Sequence, residues 1–113
     1  MWSPALIRYN ETQGPNWSDR TFEVFDNQAR LFVIGCKVQS LIEKKLYIGI
    51  DEVIPLSFSQ LRKLRGLFAH AFAGWKVTAL VEEQNTTGLA FARFFKLTQT
   101  GRVAGVITFE RDC

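Results

Sequence analysis

The sequence predicts an α/β (α+β) fold: a mixed, twisted central sheet with a helix on each face, in the order β-β-β-α-β-α-β. Three observations carry this. Apolar residues recur every three or four positions over residues 57–74 and again over 87–97, the spacing of two helices. Three segments rich in β-branched and aromatic residues, 21–25, 30–38 and 45–54, come before the first helix. A short apolar segment, 77–82, separates the helices, so strands flanking the first helix can pair in parallel.

Residues 1–20 hold Pro4, Gly14 and Pro15 amid Asn, Ser, Thr and Asp, which predicts an irregular N-terminal arm with 5–9 as a candidate short edge strand. Residues 21–113 then form a single domain, in keeping with a chain of 113 residues, 47% of them hydrophobic. Asp26-Asn27-Gln28 is turn chemistry, so 21–25 and 30–38 make an antiparallel hairpin. In 45–54, Leu46, Ile48 and Ile50 fall on one side and Tyr47, Gly49 and Asp51 on the other, and Gly49 marks a bulge or a close backbone approach. Pro55 ends that strand, and Ser57 and Gln60 have the spacing of a capping box. The helix shows one apolar stripe (Leu61, Leu64, Phe68, Phe72, Trp75) and one basic side (Arg62, Lys63, Arg65, His70). Asn85 or Thr86 caps the second helix, whose Leu89, Phe91, Phe94 and Phe95 predict near-complete burial. Gly101 is read as the turn into a last strand at 103–109, bent at Gly105.

A net charge of +3 is too small to argue for nucleic acid by itself. No apolar run approaches the ~20 residues of a membrane span, and Met1-Trp2-Ser3-Pro4 lacks the blocks of a signal peptide. Cys36 and Cys113 suggest a reducing compartment, with a bridge left open by their even number. With one His and two Cys no metal site is expected.

The stretch 81–97 resembles the GNAT-type acetyltransferases. Asn85, Gly88 and Phe91 stand at three of that family's positions, and the match in element order covers roughly 20–113, without the family's first two helices. The resemblance implies a turn before the first helix that cradles the pyrophosphate of acetyl-CoA on backbone N–H groups. Here that turn has no glycine, Pro55 removes a donor and Phe58 adds bulk. It also implies a Tyr as proton donor to the leaving thiolate, where this chain has Ala92, and a Gly-Phe pair where it has Lys96-Leu97. The run Leu46-Tyr47-Ile48-Gly49-Ile50-Asp51-Glu52-Val53, the basic helix and Asn85 also resemble small internal core proteins of short-tailed phage particles.

Taken together, these readings predict a non-catalytic structural or interaction protein on a GNAT-like scaffold, acting in phage particle assembly or genome delivery. It would have no catalytic residue and no cofactor, and would be located in the virion or the host cytoplasm. The alternative is a minimal acyl-CoA-dependent N-acetyltransferase using acetyl-CoA, with Asn85 as the candidate cofactor contact and Asp51 or Glu52 as candidate base. Protein partners in an oligomer or larger assembly are expected, with Trp2 and Trp17 of the arm and Arg62, Lys63 and Arg65 of the helix as candidate contacts. Cations in the first turns of a helix oppose its dipole unless an anion is near, so nucleic acid is a second possible partner for that cluster. His70 has no Ser or Cys at triad spacing and reads as a helix-surface residue.

Overall fold

The computed structural model describes residues 7–51 and 53–113, apart from the side chain of Ile7. The elements are β1 (Ile7–Thr12), β2 (Arg20–Asp26), β3 (Ala29–Ser40), β4 (Lys45–Asp51), α1 (Phe58–Ala71), β5 (Lys76–Glu82), α2 (Thr86–Phe94), β6 (Thr98–Val103) and β7 (Val106–Asp112). They build one seven-stranded mixed sheet in the order β1-β2-β3-β4-β5-β7-β6. Only β4 and β5 pair in parallel; every other neighbouring pair is antiparallel.

The predicted fold class holds, with two additions at the ends of the chain. The edge strand expected at 5–9 is found at Ile7–Thr12, held to β2 by an edge-to-face contact of Tyr9 with Phe22 and by the Arg20–Glu11 ion pair at 2.8 Å. The chain also closes with a hairpin rather than a single strand. Gly101 lies inside β6 at a register shift, and the turn falls at Ala104 and Gly105, both at positive φ (52° and 79°). A two-residue hairpin loop of this kind needs positive φ at both central positions, which matches the right-handed twist of its strands.

The helices do not lie on opposite faces as expected; both pack on one. Phe68 of α1 stacks on Phe95 at the end of α2, with ring centroids 4.7 Å apart, and the Arg65 guanidinium lies 4.5 Å from the centre of the Phe94 ring. The cause is topological. The crossovers β4-α1-β5 and β5-α2-β6 both advance in the same direction across the sheet, and right-handed crossovers then deposit their helices on the same side. The core is this single interface: Val24, Phe32, Ile34, Leu46, Ile48, Val77, Val81, Ile107 and Phe109 from the strands against Leu64, Phe68, Phe91 and Phe95. Among the described residues no helix covers the other face. There Trp17, from the β1–β2 connection, lies over Gly35 and Gly49, which are register partners. A Cβ on either glycine would come within 2.9 Å of the indole, so Gly49 does mark a close approach, by a side chain. Asp19 fixes the same loop, its backbone N–H donating to the Cys36 carbonyl and its carboxylate accepting from the Val38 N–H.

Among the described residues, no helix is long and apolar enough to cross a membrane.

Candidate functional site

Strands β4 and β5 begin as partners and then part. They pair from Lys45↔Lys76 to Ile48↔Ala79 and no further. Beyond that point each keeps its outer neighbour: Gly49, Ile50 and Asp51 stay paired to β3, and Leu80, Val81 and Glu82 to β7. Their inner edges therefore face each other across an opening, with backbone N–H and C=O groups that no strand opposite satisfies. The opening holds a cleft of about 350 Å³ lined by those strand ends and by Asn85, Gly88, Phe91, Ala92 and Phe95.

Asn85 and Gly88 position α2 at the cleft. The Asn85 Oδ1 accepts from the Gly88 N–H at 2.9 Å, which is an N-cap. A Cβ on Gly88 would meet Val81 and the Asn85 amide at 2.8 Å, so this glycine lets the helix approach β5 closely. At the other end Lys96 takes the place of a helix-terminating glycine at φ 63°. The Leu97 N–H donates to the Ala92 carbonyl and the Lys96 N–H to the Arg93 carbonyl, the pair of bonds of a Schellman motif. Ala92 is buried at the wall of the cleft, where its methyl group has no proton to give.

The entrance to α1 is capped in full. Ser57 Oγ accepts from the Gln60 N–H, the Gln60 side chain accepts from the Ser57 N–H, and the Gln60 amide donates to Asp26 at 2.9 Å. The Leu61 N–H goes to the Ser57 carbonyl, so the amides of Phe58 and Ser59 are the ones left for an outside acceptor. Between this entrance and the start of α2 runs a second groove, about 510 Å³, lined in part by Val53, Pro55, Leu56, Thr86 and Thr87. Phe91 borders both spaces, so the groove and the cleft lie on either side of it.

The structure brings together Asn85 and Asp51 at the cleft. The other expected contacts lie elsewhere. Arg65 is occupied by α2, its Nε donating to the Phe94 carbonyl and its guanidinium covering the Phe94 ring. Arg62 is exposed and Lys63 half-buried on the same helix. Trp17 is folded onto Gly35 and Gly49 and remains 41% exposed. Trp2 and Glu52 lie outside the described residues. The parting of β4 and β5 itself escaped sequence reasoning: both strands carry apolar residues past their last pair, to Ile50 and Val81, and nothing in their composition records where pairing stops.

No family model matches the sequence, and no curated protein sequence matches it. Solved structures do. The Campylobacter jejuni N-acetyltransferase PseH superposes with a TM-score of 0.63 at 16% identity, covering 82% of this chain and 67% of that one. The same enzyme in complex with acetyl coenzyme A gives the same figures. The Salmonella typhimurium acetyl transferase that modifies the N-terminal serine of ribosomal protein L7/L12 gives 0.64 at 16% identity, covering 83% of this chain and 63% of that one. At such identities the likeness shows the fold alone, and the fold is the GNAT type. The chain spans roughly 61–67% of the length of the first of these enzymes.

The expectation of a non-catalytic phage particle component is corrected by this result. The solved structures that share the fold are N-acetyltransferases, which favours the acyltransferase alternative. Residues 46–51 of the run that suggested the phage resemblance lie in β4, beside the cleft, and Arg62 and His70 of the basic helix are exposed.

Proposed function

We propose that this chain is an acyl-CoA-dependent transferase that acylates an amine. The observation that carries the reading is the parted β4–β5 pair, two open strand edges over a cleft, with a groove beside it near the starts of both helices. The pantetheine arm of coenzyme A carries two amides. An extended segment of that kind is bound by adding it to a strand edge, its N–H and C=O groups pairing with those the parted strands leave open. The diphosphate would then lie in the outer groove, which Pro55 and Leu56 line ahead of α1 and Thr86 and Thr87 line at the start of α2.

Transfer in such a site relies on positioning. The amine nitrogen bonds to the thioester carbonyl carbon, the C–S bond breaks, and coenzyme A leaves as thiolate. Ala92 offers no proton, so water protonates the thiolate; a thiol of ordinary pKa, near 8.5, is already a competent leaving group. Asp51, at the β4 end of the cleft, would take the proton from the amine, with Glu82 the other carboxylate that lines the cleft. A groove without a glycine loop makes a sparse diphosphate site, so binding of micromolar to submillimolar strength is expected.

Calorimetry with acetyl-CoA tests the reading. Saturable binding that Gly88→Leu abolishes, because the side chain wedges α2 away from Val81, is expected. No heat from acetyl-CoA up to millimolar concentration overturns it.

A further inference from the structure

Behind the cleft lies a second space that acetyl transfer does not use. It measures about 310 Å³ and sits between the helix-covered face of β2–β4 and the second half of α1. Its walls are almost wholly apolar, with Phe22, Ile34, Leu46, Leu67, Phe72 and Trp75 among them, and its polar residues are Tyr9 and Arg20. Arg20 is already paired with Glu11, so no unmatched charge awaits a partner there. Ile50 and Phe95 border both this space and the cleft, and so form the partition between them. Ile50 lies beyond the last β4–β5 pair, where the strand edge toward β5 is free.

We infer that this cavity receives the acyl chain of the donor, so that the preferred donor is a medium-chain acyl-CoA of about eight carbons rather than acetyl-CoA. The inference rests on the acyltransferase reading above. An enclosed apolar cavity of ~150 Å³ takes up benzene; this pocket of about 310 Å³, open toward Tyr9, Arg20 and Val38, has room for a chain of this length. The chain enters past Ile50 and Phe95, with the thioester held in the cleft. The transfer step is unchanged: the C–N bond forms, the C–S bond breaks, coenzyme A leaves as thiolate and the amine proton passes to Asp51 or water.

The test is calorimetric titration of the full chain with CoA, acetyl-CoA and octanoyl-CoA. Each buried methylene is worth roughly fourfold in Kd, so octanoyl-CoA should bind at least ~100-fold more tightly than acetyl-CoA. Ala71→Leu and Leu67→Phe, which fill the cavity from α1, should remove that advantage and leave acetyl-CoA binding within about twofold, which also verifies that they fold. Cys36 lines the cavity, so octanoyl-CoA, and not acetyl-CoA, should slow its alkylation at least ~10-fold by mass spectrometry. Equal affinity for acetyl- and octanoyl-CoA overturns the inference and leaves the acyltransferase reading standing. An octanoyl advantage that survives both cavity-filling variants places the chain elsewhere and overturns it too. No binding of any of the three overturns both.

Discussion

Lys96 holds a left-handed backbone conformation, φ 63°, at the position where helices most often end in glycine. The side chain makes that conformation costlier, so Lys96→Gly should stabilise the protein by about 0.5–1 kcal/mol, read as a higher urea midpoint with unchanged slope. The pair Lys96-Leu97 was legible as a departure from Gly-Phe, and the structure explains what the departure concerns: termination of α2, with Leu97 still buried. Trp17 was read as a partner contact and Gly49 as a place of bulge or close approach, and their meeting was not legible, because thirty-one residues and two strands separate them. Gly49→Ala should cost about 1–3 kcal/mol by displacing the indole, and in combination with Trp17→Ala less than the sum of the two, since the clash partner is then gone. Cys36 carries a different signature. Burial pushes its thiol up to about 11, from an ordinary 9.0. At pH 8 its thiolate is then ~100-fold scarcer than that of an ordinary thiol, and its reaction with a disulfide reagent should be slower by about that factor. The native state keeps this proton when the unfolded chain has lost it. Stability is therefore complete below about pH 9 and falls as pH climbs from there toward about 11, which denaturation midpoints across that range would record.

At the scale of elements, α1 was the most legible: Pro55, Ser57 and Gln60 announced its start, and the capping box is present with both hydrogen bonds. Gln60 does more, tying the cap to Asp26 in the β2–β3 turn. Ser57→Ala should therefore cost about 1–2 kcal/mol, at the upper part of the usual range for a lost cap, measured by thermal denaturation. The closing hairpin was half legible. Ala104-Gly105 carries the weaker of the two turn signals, and Gly101 drew the turn to itself, whereas it sits in β6 at a register shift. Helix placement was misread because amphipathic stripes say that a helix is covered, not on which side of a sheet it lies. That is decided by strand order, and the order depends on β7 inserting between β5 and β6, a long-range pairing that no local pattern encodes.

Among the described residues both helices dress the same side of the sheet. Trp17 packs on the other face, where Leu80 is 57% exposed. The phage reading failed at this scale: it followed a pattern of elements, and the same pattern belongs to N-acetyltransferase structures in which the scaffold is tied to coenzyme A. On the proposed reading, the absent glycine loop and Ala92 bear on the strength of phosphate binding and on one proton, and the parted strands, which no sequence pattern marks, are where a thioester enters. The most direct test of that central claim is the melting temperature of the full chain against acetyl-CoA. At ~100 times Kd a native-state ligand contributes about 2.7 kcal/mol, so the account predicts a rise on the order of 10 °C that saturates with concentration. A melting temperature unmoved by millimolar acetyl-CoA would contradict it.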